Sequence, residues 1–233
     1  MTGAMWYTVT RKAGDTMDKR HFILTILTIS LFALVLLAGC GGNKAPAEGS
    51  PSAAADAFLQ GIQAGDEEAI NAVYAPGDFA LNENLQTAEE LLGNYEGGDK
   101  LLEDLQTKLR EFEYTLGEEE VDGDRAIVKV KITTYDFSGA VNDFLTDFVI
   151  ESSTLKLKGS TDEIGNAAVS LFQEQLDKLT EKEFERETEL ALTNTDGVWK
   201  VDELDQDSEF LNALTGGFVQ AITDLAESYS STQ

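Results

Sequence analysis

Phe22 to Leu36 form a run of fifteen residues, FILTILTISLFALVL, without a single charge. Such a run has to leave water, yet it is short for a membrane-crossing helix, which takes about 20 apolar residues. Lys19, Arg20 and His21 stand before it, and the small residues Ala38 and Gly39 follow it. Basic start, apolar middle and small-residue end is the order of a secretory signal. The run therefore predicts a chain of two unlike parts, an export segment and a body that folds after it. Charge divides at the same place. Residues 1–39 hold four basic and two acidic residues, and the remainder holds 13 basic against 41 acidic ones, a charge of −28.

The run ends at Cys40, the chain's one cysteine. The tetrad Leu37-Ala38-Gly39-Cys40 resembles the lipobox of bacterial lipoproteins. The resemblance implies cleavage between Gly39 and Cys40 and a diacylglycerol on the Cys40 thiol. The chain would then be anchored by lipid at the extracytoplasmic face of the cell membrane. Two acyl chains suffice for stable anchoring, where one is marginal. The competing reading is a short uncleaved helix with a chance cysteine. A signal starting at Met17 has normal proportions, so 17–39 reads as the signal peptide and 1–16 as an extension that is untranslated or disordered. Residues 40–50 are rich in Gly, Ala, Pro and Ser and lack large apolar groups. They read as a flexible tether to a domain at 51–228.

The composition of that domain excludes several chemistries. A body so acidic repels nucleic acid and anionic headgroups, so no nucleic-acid partner is expected. His21 is the chain's one histidine. With His21 in the signal and Cys40 acylated, the body has neither imidazole nor thiol. Ser-His-Asp and Cys-His catalysis, histidine zinc sites and disulfides all go together. No catalytic residue, metal or cofactor is expected, and the body reads as a non-enzyme.

The order of elements follows from periodicity. Ser50 before Pro51 is a helix start, and Phe58, Leu59 and Ile62 follow at helical spacing. Gly65 ends that helix and Asp66 caps the next, which turns Ile70, Val73 and Tyr74 inward. Asp99 is expected to cap a third helix with the stripe Leu102, Leu105, Leu109. The period then changes. Phe112, Tyr114 and Leu116 alternate with polar residues, as do Ala126, Val128, Val130 and Ile132, which predicts two strands turning at Asp122-Gly123. Two helical stripes come next, one of Val141, Phe144, Leu145, Phe148 and Val149, and one of Ile164, Ala168, Leu171, Phe172 and Leu179. A second hairpin turns at Asp196-Gly197, with Trp199 and Val201 on one face. A last helix carries Leu211, Leu214, Phe218, Ile222 and Leu225, and Gly216-Gly217 is a close packing point or a break within it. The class is α+β, an antiparallel sheet with helices on one face.

The stretches AADAFLQGIQAGDEEAINAVYA and TNTDGVWKVDEL resemble the small NTF2-like, cystatin-like domains of many bacterial lipoproteins. The resemblance covers most of residues 51–204 and rests on the Gly65-Asp66 junction and on Gly197, Trp199, Lys200 and Val201. It implies a helix pair ahead of a curved antiparallel sheet. That family holds enzymes, binders and scaffolds on one fold.

Trp199, Tyr114 and Tyr135 are candidates to line a ligand cavity inside the cone of such a sheet; otherwise they are core and strand packing. Asp205, Asp207 and Glu209 could offer oxygens to calcium but lack the glycine and distant glutamate of an EF-hand, and Asp207 or Ser208 serves more simply as a helix cap. The leading functional expectation is a non-catalytic binding or interaction module with an extracytoplasmic protein or cell-wall partner. The alternative is a small-ligand carrier on the concave sheet face, and a third reading is a hydrolase built on a carboxylate pair. Mass analysis of the membrane-bound form should find Cys40 at the N-terminus, with diacylglycerol attached. A membrane form that keeps residues ahead of Cys40 rules the anchor out.

Overall fold

The computed structural model describes residues 46–79, 88–156, 161–205 and 208–230. The extension 1–16, the signal 17–39, the Gly39-Cys40 cleavage site and the first part of the tether lie outside the described residues.

Helix α1, Pro51–Ala64, starts as its sequence predicts: the Ser50 hydroxyl accepts the Ala53 N–H and Pro51 occupies the first turn. It ends in a Schellman arrangement. Gly65, with φ 66°, donates to the Ile62 carbonyl, and Asp66 donates to Gly61. Asp66 at once caps α2, Glu67–Val73, by accepting the Ala69 N–H at 3.0 Å. The two helices pack so closely that a Cβ on Gly61 would stand 2.8 Å from Ile70 Cγ1. Helix α3, Gly98–Arg110, departs from expectation. Its cap is Gly97 in the left-handed region, and Asp99 lies in the first turn, where its charge suits the helix dipole without capping.

Four strands follow: β1 Glu113–Asp122, β2 Arg125–Thr134, β3 Phe184–Thr195 and β4 Val198–Val201. They form one antiparallel sheet in chain order. One face of β2 and β3 is buried through Ala126, Val128, Val130, Ile132, Leu190 and Leu192, and their other face is largely solvated. This is the α+β class that the sequence predicts. Asp196 and Gly197 both have positive φ, at 55° and 86°, as the hairpin turn of β3 and β4 requires. The first hairpin turns one residue later than expected, at Gly123-Asp124, because Asp122 still pairs with Arg125. A bulge between Leu116 and Glu119 sets β1 forward by one residue. Glu119 thereby meets the start of α1, accepting the Ser52 N–H at 3.1 Å and hydroxyl at 2.6 Å.

Helices α1 and α2, with α6 at Glu209–Leu214, supply one side of the sheet-facing core; the Ser208 hydroxyl caps α6 by accepting the Leu211 N–H. Phe58 is fully buried there against Tyr74, Phe79 and Phe210. A second core belongs to the helices. Between β2 and β3 the chain makes α4, Phe137–Lys156, and α5, Thr161–Lys178, which join α3 and α7, Phe218–Ser230. Leu101, Tyr135, Phe137, Val169 and Leu176 are buried among them. Among the described residues no helix is long and apolar enough to cross a membrane.

The glycine pair is both a break and a close contact. Gly216 and Gly217 have φ 56° and 80° and separate α6 from α7. A Cβ on Gly216 would also overlap the Tyr135 carbonyl. Gly123 has a similar φ of 63° but open space around it. Gly123→Ala should therefore cost about 1 kcal/mol of left-handed strain. Gly216→Ala should cost distinctly more, seen as a much larger fall in melting temperature by circular dichroism.

Candidate functional site

A cleft of about 390 Å³ opens among the helices. The stripe of α4 supplies Val141, Phe144 and Leu145; α5 supplies Ala168, Val169 and Phe172; α7 supplies Phe218 and Ile222. Leu91, Leu92 and Tyr95 close it on the side of the chain that leads into α3. The Tyr95 hydroxyl is the one polar side-chain group in this lining. Aromatic rings hold the wall together: Phe144 and Phe172 meet edge to face at 5.3 Å, and Phe172 stands 6.4 Å from Phe218. Leu91 and Ile222 are 64% and 43% exposed, so the apolar lining reaches solvent.

Polar contacts behind the wall fix its parts. The buried amide of Gln175 on α5 donates to Asp147 on α4 at 3.0 Å and accepts from Lys178 at 3.1 Å. Gln173 on α5 donates to Asp104 on α3 at 2.7 Å. Tyr95 lies on Gly165 so closely that any side chain there would overlap its ring. Beside it the Glu96 N–H donates to Asn166 Oδ1 at 2.9 Å. The space over Gly165 is thus taken by the Tyr95 ring, which seats the chain before α3 against α5 as one side of the cleft.

The three aromatic residues singled out in the sequence stand elsewhere. Trp199, half-buried on β4, packs against the sheet-facing core, as does Tyr114 on β1. The Tyr114 hydroxyl donates to Asp56 Oδ1 at 2.7 Å. Burial, then that carboxylate, pushes the phenol far above its ordinary pKa. Tyr135 belongs to the helical core. Its hydroxyl donates to Glu111 Oε2 at 2.8 Å, and Lys108 Nζ lies 4.6 Å from its ring centre while donating to the Leu179 carbonyl at 2.6 Å. The structure does not bring the three together, and none of them lines the cleft. The cleft residues of α4 and α7, and Ala168 and Phe172 of α5, were visible in the sequence only as helix stripes; Gly165 and Val169 belonged to none. Leu91, Leu92 and Tyr95 follow no period and had no signal.

Among the described residues no Asp or Glu side chain is buried, so the close buried carboxylate pair needed by a hydrolase is not found there. No group of three His, Cys, Asp or Glu side chains among them could hold a metal ion. Asp207 of the acidic loop lies outside the described residues.

No protein-family model matches the chain, and no curated protein matches it. The chain is similar to a crystal structure from Bacillus subtilis described as "a putative lipoprotein (ycdA)", at 19% identity and a TM-score of 0.46. The match covers 71% of this chain and 55% of that one, so this chain spans about half the length of that structure. A likeness of this extent says nothing of function.

Burial, then the bond to Glu111, pushes the Tyr135 phenol up to about 12 from an ordinary 10.0. A group raised on folding stabilises the fold below its unfolded pKa, and that contribution fades as pH climbs through the folded value. Stability should therefore fall between pH 10 and pH 12. Tyr135→Phe should lessen that slope and leave the part that Tyr114 contributes, read from denaturant midpoints at each pH.

Proposed function

We propose that this chain is a lipid-anchored extracytoplasmic module of the NTF2-like, cystatin-like type, and that it works by binding an apolar ligand in the helix-lined cleft. The anchor rests on the signal pattern and the tetrad ending at Cys40, and the domain type on the Gly65-Asp66 junction and the Gly-x-Trp-Lys-Val strand. The observation that carries the binding role is the cleft itself. Its volume of about 390 Å³ lies within the range of ligand sites, and its wall is apolar apart from one tyrosine hydroxyl. Such a wall discriminates by shape and desolvation. It suits an alkyl chain or a fused-ring hydrocarbon better than a sugar or nucleotide. The carrier function expected on the concave sheet thus moves to the helical layer.

A partner-protein role has its own support. Val149 and Ile150 on α4 are 60% and 65% exposed, side by side on one helix. Exposed aliphatic side chains gain free energy when a partner covers them. Crosslinking in the native cells, comparing the whole chain with the anchor alone, tests that reading.

The ligand role is tested with N-phenylnaphthylamine, which fluoresces when it leaves water. The full chain in mild detergent should give a saturable rise in emission beyond that of the same detergent without protein. Ala168→Trp fills the cleft and should weaken binding by about tenfold or more without lowering the melting temperature. Equal titration curves for the two proteins would place the dye elsewhere and defeat the cleft as the site.

A further inference from the structure

A second cleft, of about 370 Å³, lies where α4, α6 and α7 approach the start of β3. Its chemistry is the reverse of the first. Arg186, Asn142 and Asn212 stand in its wall together with Phe184, Gln220 and Asp224.

Strand alternation explains why an arginine is there. Glu185, Glu187 and Glu189 of β3 fall on the solvated face of the sheet, where Lys131 pairs with Glu185 at 2.9 Å. Arg186 shares the opposite parity with Thr188, Leu190 and Leu192, and its cross-strand neighbour is Ile132. Alternation thus separates this guanidinium from the acidic side chains next to it in sequence. Its carbon lies 5.4 Å from the Phe184 ring centre, and among the described residues it makes no ion pair. Arg186 is nevertheless exposed, so its guanidinium is open to a ligand from solvent.

The other polar groups point the same way. Asp224, the carboxylate in the wall, already accepts the Gln220 amide at 2.7 Å. Asn212 Oδ1 accepts the Gln220 N–H at 3.2 Å, which leaves its NH₂ as a donor toward the cleft. Asn142, also in the wall, adds a second amide. Gly217 lets the start of α7 pack closely on α4 at this wall, since a Cβ there would lie 2.8 Å from Ser138 Cβ and 3.4 Å from Phe184.

We propose that this second cleft binds a lone carboxylate. Arg186 takes the carboxylate through its two-pronged fork, and Asn142 and Asn212 donate to the rest of the ligand. The Asp224 carboxylate opposes any anion and a dianion most strongly, so a single negative charge fits best. The carboxylate could belong to a peptide C-terminus or to a free small acid, and the two sources are told apart by the probe.

The test is calorimetric titration of the full chain in detergent with N-acetyl-glycyl-glycine, its C-terminal amide, lactate and inorganic phosphate. One of the two carboxylates should bind saturably, and the one that does names the source. The amide and phosphate should not bind. Arg186→Ala should weaken binding by about tenfold or more, the loss expected for a charge-assisted pair. Should Arg186→Ala fail to fold, Arg186→Lys keeps the charge, loses the fork and should still weaken binding severalfold. The proposal is overturned if neither carboxylate binds, if amide or phosphate binds as well as the acid, or if a folded Arg186 variant binds with unchanged affinity.

Discussion

Where β2 becomes α4, the four residues Tyr135 to Ser138 hold the two halves of the domain together. The chain leaves the sheet at Thr134, paired with Phe184, and returns at that same Phe184 after two long helices. An excursion of that length is entropically costly to close, so its exit has to be fixed. Asp136 does this locally, accepting the Ser138 hydroxyl at 2.6 Å and the Gly139 N–H at 2.9 Å as α4 begins. The Ser138 N–H then reaches across to the Gly216 carbonyl at 3.0 Å. Tyr135 and Phe137 flank this point, and Phe137 meets Phe218 at 6.5 Å. The break between α6 and α7 is thus tied to the exit of the excursion. Together with the packing of Phe218 on Phe137 and Phe172, that tie sets α7 against α4, and both clefts take part of their wall from α7.

The two halves differ in how fully they are filled. Against the sheet, Phe58, Ile70, Val128, Ile132 and Leu190 are wholly enclosed, as a core between a sheet and its covering helices should be. Among the helices, Phe144, Phe172 and Phe218 are only partly covered and their rings border open space. On α5 the small Ala168 faces that room, while the space over Gly165 is filled by the Tyr95 ring.

Local chemistry was legible wherever a single residue decides the backbone. Ser50-Pro51, Gly65-Asp66 and Asp196-Gly197 each do in the structure what their side chains favour in isolation. Asp99 was misread because a helix can start from a left-handed glycine, and Gly97 stands ready two residues earlier. The hairpin at residues 122–124 could turn in either of two registers. Pairing across β1 and β2, which faces Val128, Val130 and Ile132 inward, selects one of them. The clefts were not legible, for a physical reason. A stripe such as Val141, Phe144, Leu145 states which face of a helix avoids water. It does not state whether the opposing helix comes close enough to fill the gap, and a glycine at 165 reads the same in a packed core as in a cleft wall.

The outer strands of the sheet bear on how such chains behave when crowded. At one border, β1 carries Glu113, Glu118, Glu119, Glu120 and Asp122, and its bulge interrupts the ladder midway. At the other, β4 is only four residues long, and its free side is taken by a bridge from Tyr74 and a bond from Ala75 to the Val201 carbonyl at 2.7 Å. Neither border presents a flat, uncharged ladder for another chain to extend. Many copies can therefore stand shoulder to shoulder without their sheets fusing into a continuous fibre.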